Sequence, residues 1–510
     1  MKKTTNIFWI SLIIGVFFVL WGVVTPDNLI RVMTTVQSYL LDRFGWFYEY
    51  TATFFLIFSL LLAFSRFGNI KLGKQDEKPE FSTPSWFAML FGAGMGIGLL
   101  FYGVSEPISH YANPPFGKSQ TTESAKIGLQ YTYLHWGFHA WAIYAVVALA
   151  LAYYKFRKNS PGLMSATLYP LLGNKVNGPI GYIVDIVSVF ATVFGVAASL
   201  GLGAAQINSG LHYLLGLPIN FKVQLIIIII TTFLFITSAA TGVSKGIKYL
   251  SNINMILAVI LFLSILFIGP SQYLIELFTT TFGAYLQNLP SMGLRFAPFN
   301  SQHNQWVKDW TIFYWAWWIS WTPFVGTFIA RVSKGRTVRE FIIGVLIVPS
   351  LVCSLWFGVM GGTGIYYDFI KGLDVAKQSL ETSLFFVLQQ MPFGGLLSVL
   401  SVILIMIFFV TSADSATFVL GMQTTNGSLN PPFLVTFTWG IILAAVSAIL
   451  LWTGGLVGMQ AAIIVSALPL AIILLFMCYG LVKSFRQEYS TIKEKKQYQN
   501  SVETPKQKTS

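Results

Sequence analysis

The chain has 510 residues, 55 % of them hydrophobic and only 10 % charged, with a mean hydropathy of +0.67. That balance excludes a soluble globular enzyme and implies a polytopic all-α membrane protein. The net charge of +13 gives little support to a nucleic-acid partner, because the basic residues cluster between apolar runs in a topology pattern.

Runs long enough to cross a hydrocarbon core of about 30 Å recur at 6–24, 46–65, 85–110, 131–154, 180–207, 222–242, 252–269, 310–330, 341–364, 395–422, 433–452 and 456–482. Twelve transmembrane helices are therefore expected. The first run follows Lys2 and Lys3 as a signal peptide would, but its core is too long and no small-x-small site follows at Thr25 and Pro26. It reads as a retained anchor. Placing the N-terminus inside puts 23 of the 32 Lys and Arg residues in inner segments, so both termini are expected in the cytoplasm of a cell-membrane protein.

The third run contains Phe91-Gly-Ala-Gly-Met-Gly-Ile-Gly98, with glycines at 92, 94, 96 and 98. Each costs a helix about 1 kcal/mol relative to Ala, which favours local unwinding. Backbone groups freed there must face protein or a polar cavity, although Gly94 and Gly98 also have the spacing of a close helix seam. Glu106 and Pro107 then mark an expected span end.

In the fourth run, ideal helical angles place Trp136, Tyr144 and Trp141 at about 0°, 80° and 140°, an arc able to wrap one side of a cation. His135 and His139 have the i, i+4 spacing of a zinc pair, but no third ligand or His-Glu-x-x-His pattern accompanies them. The eighth run holds four tryptophans within seven residues: Trp315, Trp317, Trp318 and Trp321. Trp315, Trp318 and Trp321 share an arc of about 120°, with Trp317 pointing elsewhere. Pro323 and Gly326 are expected to interrupt this helix.

The tenth run offers hydroxyls at Thr411 and Ser412, followed by Asp414. As isolated residues, these hydroxyls read first as helix-interior groups bonded to the i−4 carbonyls. Cys353 and Cys478 lie inside apolar runs and fit no metal or disulfide pattern. The sequence carries no Walker loop and no nucleophile elbow, so no nucleotide or other cofactor is expected.

Two interrupted spans at matching positions suggest inverted five-helix repeats, spans 3–7 and 8–12, with spans 1 and 2 outside them. The expected organisation is 1–83 for the first two spans, 84–270 for the first repeat and 271–309 for an outer connecting segment with an amphipathic helix. Residues 310–484 form the second repeat and 485–510 a charged cytoplasmic tail.

The stretch Phe313-Tyr-Trp-Ala-Trp-Trp-Ile-Ser-Trp-Thr-Pro-Phe-Val-Gly326, continuing to Phe341, together with Gly94-Met-Gly-Ile-Gly98 and Phe408-Phe-Val-Thr-Ser-Ala-Asp-Ser415, resembles motifs of the betaine/choline/carnitine transporters. The likeness extends over nearly the whole chain. It implies a secondary carrier of quaternary ammonium compounds, a homotrimer in the lipid bilayer and a role in osmotic protection.

By this resemblance, Trp136, Trp141, Tyr144 and Trp318 form an aromatic box. Trp315 and Trp321 line the substrate path, and Gly94, Met95, Gly96 and Gly98 face the substrate's other pole. Choline carriers of the family tend to carry Asp where this chain has Gly98, so a zwitterion is expected, glycine betaine before proline betaine or carnitine. No Lys or Arg lies between Lys175 and Lys222 to replace an ion, as happens in the family's ion-independent exchangers. Sodium is the expected coupling ion, bound by Gly92, Met95, Phe408, Thr411 and Ser412. A second sodium near Thr192 and Phe324 is weakened by Val196, which stands where sodium-coupled relatives lead one to expect a hydroxyl.

Two alternatives compete with this reading. Glu106 and Asp414 are carboxylates in or beside spans, so a proton-coupled or exchange-type choline or carnitine carrier remains open. An integral membrane enzyme would instead use His135, His139 and Asp414 as acid and base groups.

Overall fold

The computed structural model describes residues 4–94, 96–240 and 244–503, with side chains at 91, 93–94, 244–249 and 492–503 left aside. Its helices are α1 Asn6–Val24, α2 Pro26–Phe64, α3 Thr83–Gly94, α4 Ile97–Ala112, α5 Thr122–Trp136, α6 Phe138–Ala152, α7 Tyr169–Leu172 and α8 Pro179–Leu215. They continue as α9 Phe221–Ala240, α10 Ser244–Ile268, α11 Ser271–Met292, α12 Ser301–Val307, α13 Phe313–Val332 and α14 Val338–Ile365, then α15 Ser383–Gln389, α16 Gly394–Gln423 and α17 Phe433–Glu503.

Nine helical stretches among the described residues are long and apolar enough to cross a membrane. They fall into an inner group and an outer group. In the apolar 18-residue segment of each stretch, 94 % of residues are buried in Thr122–Arg157, against 22 % in Leu250–Ile268 and 28 % in Phe221–Ala240. Outer helices turn Phe17, Leu61, Phe233 and Phe267 outward, as lipid-facing surfaces require.

Breaks in the helices follow local chemistry. The glycine-rich third run is divided as expected: α3 ends at Gly94 and Gly96 adopts an extended conformation before α4 begins. The fourth run, read as one helix, is also divided, at Gly137 between α5 and α6. A Cβ at Gly137 would lie 2.4 Å from the Tyr133 carbonyl oxygen and 2.7 Å from the Tyr285 hydroxyl, so only glycine fits. Tyr285 compensates for the break by accepting from the Phe138 N–H at 3.3 Å.

The tryptophan helix corrects an expectation. Despite Pro323 and Gly326, α13 runs without interruption from Phe313 to Val332. Pro323 lacks the N–H that would bond the Ile319 carbonyl, and the Thr322 hydroxyl donates to that carbonyl instead, at 2.7 Å. Gly326 serves packing, since a Cβ there would lie 2.9 Å from Val147 on α6. The expected end at Glu106 is likewise absent: α4 continues through Pro107 to Ala112.

The last two expected spans are two helices within α17, divided by a kink at Gly455, whose φ +52° and ψ −134° are not helical. Residues 271–309 hold α11 and α12. Segments that the Lys and Arg pattern assigns to one side touch one another. Leu72 N–H donates to Arg336 O and Gly335 N–H to Leu72 O, both at 2.8 Å, and Val338 N–H donates to Ile70 O at 2.9 Å. Thr5 N–H donates to Thr424 O at 3.3 Å, and Arg157 reaches both Gly73 O and Glu488.

Candidate substrate site

The break after α3, the start of α6 and the tryptophan helix converge on one narrow cavity. Its walls include Gly96, Gly98, Trp136, Trp141, Tyr144, Trp317, Trp318, Trp321 and Cys353. Among the described residues, none of its lining side chains is charged.

Ring geometry makes the walls continuous. Trp317 and Trp318 stack at 5.0 Å with 9° between planes, Trp136 meets Trp318 edge-on at 4.8 Å, and Tyr144 meets Trp318 at 6.0 Å. Trp141 lies 5.5 Å from Tyr144. Such π faces attract a diffuse cation that offers no N–H to a hydrogen-bond acceptor. A Cβ on Gly98 would lie 2.8 Å from Trp136 and 3.1 Å from Trp317, so the absence of a side chain lets α4 pack directly against these two rings.

The structure brings together Trp136, Trp141, Tyr144, Trp318, Trp321, Gly96 and Gly98. Gly94 ends α3, while Met95 lies outside the described residues. Trp315 differs from expectation. It is buried away from the cavity, donating to Glu49 at 2.7 Å and stacking on His139 at 5.3 Å, while Trp317 takes a cavity position. From Trp317, Trp318 and Trp321 lie at about 100° and 40° around the helix, with Trp315 on the far side at about 160°.

The residues expected to bind ions are dispersed in their bonding. Thr411 donates to its own helix at Ile407 O, 2.8 Å, and Thr192 to Ser188 O at 2.8 Å. Ser412 and Phe324 are partly buried, Phe408 is buried, and Gly92 lies on α3 with Met255 of α10 as its neighbour.

The enzyme alternative loses its constellation. His135 faces Glu106 and Thr311, His139 faces Thr53 and Trp315, and Asp414 accepts from Ser238 at 2.8 Å. The three groups therefore serve separate contacts. The zinc spacing is not used either, since the His135 ring pairs with Glu106 and His110 rather than with His139.

Two buried carboxylates support the tryptophans: Glu49, which the sequence reading missed, and Glu106, which it weighed only as a proton-coupling candidate at a span end. Glu49 on α2 holds Trp315, and Glu106 on α4 accepts from Trp136 at 2.7 Å and Tyr314 at 2.5 Å. A signal was present in their apolar surroundings, because a lone acid within a span calls for a partner. The partners themselves are set by tertiary packing.

The family model described as "BCCT, betaine/carnitine/choline family transporter" matches residues 6–490. The chain is 53 % identical over 495 residues to the glycine betaine transporter OpuD of Bacillus subtilis, covering 97 % of each chain. It is 43 % identical to a probable glycine betaine transporter of Desulfitobacterium hafniense, over 96 % of this chain and 99 % of that one. It is 40 % identical to an ectoine/hydroxyectoine transporter of Virgibacillus pantothenticus, over 93 % and 96 %. A solved structure of a Na+-coupled sialic acid symporter, in a substrate-bound outward-open state, shares the fold with a TM-score of 0.50 at 16 % identity, over 84 % of this chain and 86 % of that one. These matches, with the apolar helices around an aromatic cavity, make the chain a multi-pass membrane transporter and no enzyme: it belongs to the betaine/carnitine/choline transporter family.

Proposed function

We propose that this transporter imports glycine betaine together with sodium. The observation that carries the substrate assignment is the cavity wall itself: five indole or phenol rings of the expected set, Trp136, Trp141, Tyr144, Trp318 and Trp321, without a charged side chain. A bare cation such as choline gains from a buried acid, whereas a zwitterion brings its own carboxylate to the backbone N–H groups near Gly96 and Gly98. The names of the Bacillus and Desulfitobacterium relatives support the same substrate.

Sodium would be held by carbonyls at Gly92, Met95 and Phe408 with the hydroxyls of Thr411 and Ser412, a hard oxygen set suited to a hard cation. A second sodium would sit near Thr192 and Phe324. The sialic acid symporter supports only the shared fold. The full reading includes twelve spans in two inverted repeats, cytoplasmic termini and a homotrimer in the membrane.

The test is uptake of labelled glycine betaine, choline and carnitine by purified protein in vesicles under sodium, potassium and proton gradients. Saturable betaine uptake that requires sodium supports the reading. Equal accumulation in potassium under a pH gradient alone overturns the sodium assignment and turns attention to Glu106 and Asp414.

A further inference from the structure

Behind the cavity wall, Glu106 is wholly buried and meets four donor-capable groups. Its Oε2 accepts from the Trp136 indole at 2.7 Å and the Tyr314 hydroxyl at 2.5 Å. Its Oε1 lies 2.7 Å from His135 Nδ1 and 3.2 Å from His110 Nε2. The far nitrogen of His135 is fixed by Thr311 at 3.0 Å, and the His135 ring stacks on Tyr314 at 4.7 Å. The His135 backbone carbonyl accepts from the Trp318 indole at 2.8 Å. Two walls of the cavity, Trp136 and Trp318, thus trace back to one carboxyl group on α4.

We propose that Glu106 is the positioning residue of the aromatic cavity, acting through the reach of its side chain rather than through its charge. It stands behind the residues that line the cavity and is not one of them. Its reach sets the distance at which Trp136 and Tyr314 are held, and through His135 it fixes the turn that presents a carbonyl to Trp318. The same substrate reading as above underlies this proposal, because the affinity for glycine betaine is its readout.

Two conservative variants separate reach from charge. Glu106→Gln keeps the length, and its amide oxygen can still accept from Trp136 and Tyr314. Glu106→Asp keeps the carboxylate but withdraws it by one methylene. Measured as initial uptake per folded transporter, the Asp variant should raise the KM for glycine betaine by about ten-fold or more, since displacements near 1 Å are costly at a fitted site. The Gln variant should stay within about three-fold of wild type, and the maximal rate per folded transporter should change little in either. A wild-type KM in the Asp variant overturns the proposal, and so does a rise in the Gln variant equal to that in the Asp variant. A loss of folded protein in both without any change in KM overturns it too, by showing a role in stability alone. Wild-type protein that takes up no glycine betaine would instead defeat the substrate reading before the variants are compared.

Discussion

The indole N–H of Trp315 donates to Glu49 Oε2 at 2.7 Å, tying the first tryptophan of α13 to α2, a helix outside the proposed repeats. Both groups are wholly buried. Trp315 thus serves as an anchor for the tryptophan helix, while its neighbours two, three and six positions later line the cavity.

This division predicts opposite phenotypes for two tryptophans. Trp318→Leu removes a cavity face, and a desolvated cation–aromatic contact is worth about 2 kcal/mol or more. The KM for glycine betaine should rise roughly thirty-fold with normal expression. Trp315→Leu leaves a buried Glu49 without its donor, so it should lower thermal stability and the yield of folded protein while leaving KM near wild type. Uptake kinetics and fluorescence-detected size exclusion on the same preparations check both, and a shared KM defect would remove the distinction.

Gly98 tests the glycine edge of the cavity, where α4 meets the rings of Trp136 and Trp317. A Cβ there would lie 2.8 Å from Trp136, so even Gly98→Ala should weaken betaine uptake by pushing that ring. Gly98→Asp should add a charge effect, repelling the betaine carboxylate and attracting choline. The choline-to-betaine uptake ratio should rise in the Asp variant and stay level in the Ala variant. Equal ratios would leave steric damage as the whole effect.

Replacing both Thr411 and Ser412 by Ala should raise the sodium concentration for half-maximal uptake. Betaine affinity should fall more at low sodium than at saturating sodium, because ligands that share one equilibrium bind reciprocally. Thr411 donates to Ile407 in this structure, so ion binding would require its oxygen lone pairs without breaking that bond. An unchanged sodium dependence would return both hydroxyls to a helix-packing role.

The tail of α17 gives a pH prediction. Glu488 pairs with Arg157 at 2.6 Å and Lys158 at 2.5 Å. Burial works to raise its carboxyl, but the hydrogen bonds from Lys158 and Arg157 prevail and hold it below the ordinary value of 4.5. A depressed carboxyl contributes stability that is present above its unfolded value and lost as pH falls through its folded value. Protease resistance of the tail should therefore hold at neutral pH and fail only below about 4.5, whereas Glu488→Gln should weaken it at pH 7. Equal cleavage of both proteins at pH 7 would assign the tail's order to other contacts.

Much of the cavity was legible because its chemistry is written in local spacing. Glycines at alternate positions produce the break between α3 and α4, and Trp136, Trp141 and Tyr144 reach one wall despite the unforeseen break at Gly137. The course of α13 was not legible from Pro323, because the outcome depended on the Thr322 hydroxyl replacing its missing bond. Nor was the face of Trp315, since helical angles rank residues relative to one another but do not say which side meets the cavity. That choice rests on Glu49, 266 positions earlier.

The main-chain bonds joining Leu72 to Gly335 and Arg336, and Ile70 to Val338, have a mechanical consequence. They act as a tie rod between the chain that enters α3, the helix that ends just before the cavity's Gly96, and the turn that leaves α13, which lines the cavity with three tryptophans. Rocking at one end is delivered to the other through peptide groups, so exchanging side chains along the rod cannot cut the linkage. A proline at position 72 or 338 would remove one donor and slacken that transmission while leaving the aromatic walls chemically intact.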